Sequence, residues 1–353
     1  MAIEERVREL AGEVEAADAA AAEKARARHL ELTKPPGSLG RLEEAGVRLS
    51  GISGACPPPV PERPAVVICA GDHGVLARGV SPWPQEVTAL MVRNFCEEGA
   101  AANALARTAG ARVSVLDVGV AGELPGHPRL RGAKVRSGTD DLSARPAMTR
   151  EEASRAVMAG AGIAEELVES GEVDLLVTGD MGIGNTTPAA CLISAFTGRP
   201  PSEVTGRGTG IDDETYELKV RVIEEALRLH EPDPEDPLGV LAAVGGLEHA
   251  ALAGLVLMGA ACRVPVVLDG VSSGAAALVA RALAPDAPDY AFAGHLSAEP
   301  GAAAALEELG LEPLLDLRMR LGEGTGALLA VPVLQSAARV LGEMATFEDV
   351  GIG

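Results

Sequence analysis

Aromatic side chains are nearly missing from this sequence: one Trp, two Tyr and four Phe make up 2% of 353 residues. A core without large rings must be packed from Ala, Val, Leu and Ile, with some of the 42 glycines placed where backbones pass closely. Positive charge is also short. Thirty Lys and Arg stand against 51 Asp and Glu, a formal net charge of −21. Nucleic-acid binding rests on clustered cations, so that class is excluded, and an anionic membrane surface with it. A small anionic substrate is not excluded, because a few local cations and a helix N-terminus suffice to hold a phosphate. The five cysteines, Cys56, Cys69, Cys96, Cys191 and Cys262, form no CxxC pair and no Cys/His cluster at zinc-ligand spacing, so reduced thiols and no metal site are expected. Apolar runs are broken by Gly, Pro or charge before membrane-spanning length. The first 29 residues are charged and helix-prone, unlike a secretory leader. The expectation is a cytoplasmic protein with no nucleic-acid or membrane partner.

What is present is a repeated strand-then-helix pattern. Short apolar runs end in Gly, Asp or His: Ala65 to His73, Arg112 to Val120, Asp174 to Gly182, Pro265 to Gly270, Asp289 to His295 and Pro313 to Leu317. Such runs suit strands buried on both faces of a parallel sheet. Helical stretches separate them. TREE, from Thr149 to Glu152, has the form of a capping box. Further on, Leu218, Val222, Ile223, Ala226 and Leu227 share one helical face. The predicted fold class is α/β, a Rossmann-like parallel sheet of about six strands flanked by helices. A Pro-rich break, CPPPVPERP, sets off the helical N-terminal region. The helix over 333–344 is expected to pack back on it. Residues 1–60 with 333–353 would then form a small helical domain, and 61–332 a large α/β domain.

In an open parallel sheet, ligands bind beyond the carboxyl ends of the strands. Asp72, His73, Asp180, Asp269, His295 and Glu323 collect there. Glu323 stands between Gly322 and Gly324 in the turn RLGEGTG, where a carboxylate among glycines and apolar flanks is placed to act as a general base. GDMGIGNTTPAA, from Gly179 to Ala190, offers Gly182 and Gly184 for close backbone approach, with Asn185, Thr186 and Thr187 at a helix start. It reads equally as a phosphate cradle or as a capped strand-to-helix turn. It carries neither a P-loop nor a GxGxxG fingerprint. In GRGTGIDD the glycines make a loop, and Lys219 downstream either reaches an anion or is a solvated helix lysine. Ser297 in GHLSAEPG is a helix N-cap, a phosphate donor, or both. KPPGSLGRLE reads as a structural turn, with Lys34 as its one possible anion contact. Trp83, Pro84, Leu90 and Met91 form an apolar patch whose plain reading is core packing.

Taken in order, KPPGSLGRLE, DHGV, GNTTPAA, VGGLEHAALAG, PVVLDG, GHLSAEPG and RLGEGTGA resemble one family over almost the whole chain, the nicotinate-nucleotide:dimethylbenzimidazole phosphoribosyltransferases. The resemblance implies transfer of the phosphoribosyl group of nicotinate mononucleotide to 5,6-dimethylbenzimidazole, with inversion, in cobalamin biosynthesis. It implies Glu323 as the base, with no cofactor. By the same match, Gly182, Gly184, Asn185, Thr186, Lys219, Ser297 and Gly324 would bind phosphate and ribose. Pro84, Leu90, Met91 and Asp180 would line the acceptor pocket. Many members carry Glu where this chain has Asp180, whose side chain is one methylene shorter. A homodimer is implied as well. The same frame would serve a purine or phenol acceptor, a hydrolase, or a non-catalytic nucleotide sensor.

Overall fold

A computed structural model describes residues 2–352. Helices α1 (Ile3–Gly12), α2 (Ala19–Glu31) and α3 (Arg41–Ser53) open the chain. The proline break leads into β1 (Pro64–Gly71), all eight residues of which are buried. Its run PAVVICAG holds no charge, as a strand covered on both faces requires. Helices α4 (Glu86–Cys96) and α5 (Ala101–Ala109) carry the chain to β2 (Arg112–Gly119) and a short β3 (Leu130–Gly132). Helix α6 (Arg150–Glu169) then returns to β4 (Leu175–Met181). Its TREE start is a capping box: Thr149 Oγ1 accepts from the Glu152 amide at 3.1 Å, and Glu152 Oε2 accepts from the Thr149 amide at 2.8 Å. The helices α7 (Thr186–Thr197), α8 (Pro201–Val204), α9 (Asp213–His230), α10 (Pro237–Val244) and α11 (Leu247–Ala261) precede β5 (Val266–Leu268). After α12 (Val271–Leu283) come β6 (Ala291–Ala293), α13 (Pro300–Leu309) and α14 (Thr325–Glu343).

The strands lie in the order β3-β2-β1-β4-β5-β6, and every paired strand is parallel to its neighbour. The chain winds outward from β1 to β3, then crosses back to place β4 on the other side of β1. The order reverses there, so the loops leaving β1 and β4 diverge and open a crevice.

The sheet differs from expectation at both margins. Pro313–Leu317 is not a strand; only Leu315 makes an isolated parallel bridge, to His295. The segment runs beside the end of β6 and the loop after it: the Leu314 amide donates to the Ala293 carbonyl at 2.9 Å and the Leu296 amide to the Leu315 carbonyl at 2.7 Å, so it pairs mostly beyond the strand. In its place, the unforeseen β3 pairs with β2 at the opposite edge, where two of its three residues are exposed and no apolar run marks it.

Small residues let the layers approach closely. A Cβ on Gly160 of α6 would overlap the Ala251 carbonyl oxygen of α11. One on Gly254 of α11 would overlap that of Val157. The two helices therefore touch backbone to backbone, which is how a core nearly without rings reaches native density. Leu341 of α14 packs with Ala25 of α2 and Val47 of α3, so the chain ends do meet. Helix α14 is by length and composition apolar enough to cross a membrane, with a mean hydropathy of 1.3 over an 18-residue window, although Gly326, Pro332 and Arg339 interrupt its apolar run. More than half of that window is buried in the fold.

Candidate active site

A cavity of about 540 Å³ opens in the crevice at the carboxyl ends of the strands. Its walls include Asp180, the Gly182–Thr186 turn after β4, Lys219 of α9, Ser297 after β6, and Gly322 before α14. Thus most of the residues singled out from the sequence come together in space.

Glu323 lies directly behind Gly322 and is 6% exposed. Gly322, Glu323 and Gly324 are consecutive left-handed residues, with φ of 83°, 64° and 83°. Glycine takes this conformation freely, whereas Glu323 holds it at a cost of about 1–2 kcal/mol. Space also demands the glycines. A Cβ on Gly324 would lie 2.7 Å from Val66 Cγ2, and one on Gly326 would overlap the His295 ring. Asp269, just after β5, accepts from the amides of Gly324 at 3.0 Å, Gly326 at 2.8 Å and Ala327 at 3.0 Å.

Burial pushes the Glu323 carboxyl up to about 7, helped by the charges of Asp180 and Asp269. Burial and Asp269 likewise push Asp180 up to about 6. Asn185 Nδ2 donates to Asp180 Oδ2 at 2.7 Å. A carboxyl group poised near neutral pH is suited to take a proton from a weakly acidic N–H. The Asp180 oxygens face the glycine turn; a Cβ on Gly322 would lie 3.4 Å from each.

Part of the cavity wall is cationic. Lys219 is 2% exposed, so its helix face is not the solvated one. Its Nζ donates to Thr186 Oγ1 at 2.7 Å and to the Gly206 carbonyl at 3.1 Å. Burial pulls the ammonium down to about 8, against the charge of Glu299. Arg207 and Arg320 stand in the same walls, and Arg320 donates to the Gly208 carbonyl. Glu299 Oε1 accepts from the Gly208 amide at 2.8 Å. Ser297 is not the N-cap of α13; that place is held by Glu299, whose amide donates to Ser297 Oγ at 3.3 Å. The cavity thus has cations in its wall, and the buried Glu323 carboxyl sits in the turn behind Gly322, an arrangement able to hold an anion near a base.

Comparison with known proteins decides the family. A family profile described as phosphoribosyltransferase matches residues 14–352. The nicotinate-nucleotide–dimethylbenzimidazole phosphoribosyltransferase of Salinispora tropica is 58% identical over 335 residues, covering 91% of this chain and 92% of the relative. That of Chloroflexus aggregans is 56% identical over 335 residues, covering 95% and 94%. The crystal structure of the enzyme of that name from Thermus thermophilus superposes with a TM-score of 0.90 at 51% identity, over 95% of this chain and 99% of the other. The chain belongs to the nicotinate-nucleotide–dimethylbenzimidazole phosphoribosyltransferase family.

Within this phosphoribosyltransferase fold, several of the residues named from the sequence do not line this cavity, Glu323 and Gly324 among them. Pro84, Leu90 and Met91 are not among the walls of the cavity. The buried face of α4 is Thr88, Val92 and Phe95, so helical period turns Leu90 outward, 57% exposed, over a separate groove shared with Asp72 and Arg93. Met91 packs half-buried against the main core. The cavity takes its apolar walls instead from Val80, Trp83, Ile183 and Leu321. Lys34 is not a wall residue; it pairs with Glu43 at 2.8 Å. Asp72 accepts from the Ala121 amide at 2.8 Å.

His73, expected at the strand end, is buried below the site with two residues the sequence reading did not assign. Glu248 Oε1 lies 2.9 Å from His73 Nε2 and 2.8 Å from His249 Nδ1. Burial opposes charge on His73 and Glu248. The two imidazoles nevertheless hold the Glu248 carboxyl far below its usual range, and Glu248 raises His73 against the lowering effect of burial. A Cβ on Gly182 would lie 3.1 Å from His73 Nε2, so this cluster backs the Gly182 turn. An available signal was the adjacent Glu248 and His249 in the otherwise apolar run of α11.

Proposed function

We propose that this enzyme transfers the phosphoribosyl group of nicotinate mononucleotide to 5,6-dimethylbenzimidazole, giving α-ribazole 5′-phosphate and nicotinate. The observation that carries the reading is the buried Glu323, raised to about 7 within its glycine frame, in a chain of this family. The donor phosphate lies at the cationic wall, against Lys219, Thr186, Ser297 and the Gly182–Gly184 backbone, with Arg207 and Arg320 nearby. The acceptor ring lies between Trp83, Leu321 and Asp180.

Glu323 takes the acceptor's N–H proton while the other ring nitrogen attacks the ribose anomeric carbon. The bond to the pyridinium nitrogen breaks with its electron pair, and nicotinate leaves with a neutral ring. Attack opposite the leaving group inverts the carbon. The pyridinium is already a good leaving group, so the protein contributes chiefly positioning, a base and exclusion of water. The product is the lower-ligand nucleotide precursor of cobalamin. The same reading has the enzyme in the cytoplasm as a homodimer, working without a cofactor.

The test is Glu323→Gln, which keeps the shape and removes the base. Binding of nicotinate mononucleotide should persist while turnover falls by about 10²-fold or more. Near-normal turnover would remove the assignment.

A further inference from the structure

We propose that Asp269 is the positioning residue of the catalytic turn: by accepting the amides of Gly324, Gly326 and Ala327 it holds Glu323 in its left-handed conformation beside Asp180. The inference rests on the reading of Glu323 as the base.

The start of α14 lacks a cap of its own. A helix usually caps its N-terminus with the side chain of its N-cap residue. Here the N-cap is Gly324, which has no side chain to offer. No other residue fits, because φ is 83° there and Val66 Cγ2 would lie 2.7 Å from a Cβ. The cap therefore has to come from elsewhere in the chain, and Asp269 supplies it from 55 to 58 residues away. Its Oδ2 takes the Gly324 amide, and its Oδ1 takes the Gly326 and Ala327 amides. A carboxylate at a helix N-terminus also sits at the favourable end of the helix dipole.

Asp269 is itself braced. Its amide donates to Thr178 Oγ1 at 3.0 Å, and Thr178 Oγ1 donates to Ser273 Oγ at 2.8 Å. A buried polar chain thus runs from α12 through β4 to the loop after β5, and on into the turn that carries Glu323. Without the three amide bonds the strained residue loses its hold, and its carboxyl would leave the place where the acceptor's proton is presented. The charged and titratable groups facing Glu323 are Asp180 from β4 and Asp269. Glu248 and His249 of α11 act on Asp180, and His295 Nε2 lies 3.4 Å from Asp269 Oδ1.

The experiment compares Asp269→Asn, Asp269→Glu and Glu323→Gln with the unaltered enzyme, measuring kcat, KM for nicotinate mononucleotide and the acid limb of the kcat profile. Both Asp269 variants should lose about 10²-fold in kcat, with KM changed by no more than about threefold, because the base is misplaced while the phosphate end is intact. The acid limb should move to lower pH in Asp269→Asn, which removes a negative charge facing Glu323, and stay in place in Asp269→Glu, which keeps it. A residue serving stability alone would not separate the two variants by pH. Should Asp269→Asn fail to fold, Thr178→Val carries the test, with a loss of about five- to tenfold in kcat at unchanged KM. Asp269→Asn with kcat near the unaltered value, one acid limb shared by both Asp269 variants, or an unchanged kcat in Thr178→Val would each overturn the proposal. An inactive Glu323→Gln beside an active Asp269→Asn sinks only the role of Asp269. An active Glu323→Gln sinks the base reading itself.

Discussion

Lys219 lines the cavity and Glu323 lies in the turn behind its Gly322 wall, and burial moves their proton affinities toward each other. Glu323 works as a base only when deprotonated, so kcat/KM should fall as pH drops below about 7. Lys219 holds a phosphate best when protonated, so the same quantity should fall as pH rises above about 8. A narrow optimum between these values is expected from a pH–rate series, and a flat profile across both would contradict it. Lys219→Ala should raise KM for nicotinate mononucleotide by about 10- to 100-fold, the loss of a charged hydrogen bond, and leave KM for the acceptor nearly unchanged. Equal weakening of both substrates would count against a phosphate role. Glu323 stood out in the sequence because glycines on both sides of a lone acid are a local pattern. Asp269 was visible only as one more polar strand end, and Lys219 read equally as a solvated lysine. Their partners lie far off in sequence: Lys219 is buried by Thr186 and Gly206, and Asp269 meets amides beyond residue 323.

Elements were legible where one periodicity held over a whole segment. The runs at Ala65, Arg112 and Asp174 became β1, β2 and β4, and TREE became the start of α6. The edges were not legible, because edge strands are short and half exposed: β3 went unseen, and Pro313–Leu317 stayed a bridge. That Pro84, Leu90 and Met91 lie outside the cavity wall has a related reason. The sequence shows that α4 follows the Trp83 patch but not which way its faces turn. The backbone contact of α6 with α11 makes its own prediction. Gly160→Ala should destabilise the protein by about 1–3 kcal/mol through overpacking of α6 on α11, as read by denaturant unfolding. An unchanged midpoint would show that the two helices can separate at no cost. Thr149→Ala should lose about 1 kcal/mol by the same assay, the usual worth of an N-cap.

For the whole molecule, the excess of acid still leaves local cations together: Lys219, Arg207 and Arg320 share the walls of one cavity. The parallel α/β sheet and its crevice followed from the strand-then-helix pattern. We propose in addition that 1–60 and 333–353 act as a small helical unit, which the packing of Leu341 on Ala25 and Val47 supports. How the chain divides is hard to read from sequence because α14 runs unbroken from the Gly322–Gly324 turn into that region. The central claim is the transfer itself, and product analysis tests it most directly. Purified protein is mixed with nicotinate mononucleotide, with and without 5,6-dimethylbenzimidazole, and the products are separated and identified by mass spectrometry. The expected result is nicotinate release only with the acceptor, matched mole for mole by α-ribazole 5′-phosphate. Nicotinate released equally without acceptor, or none released in its presence, would contradict it.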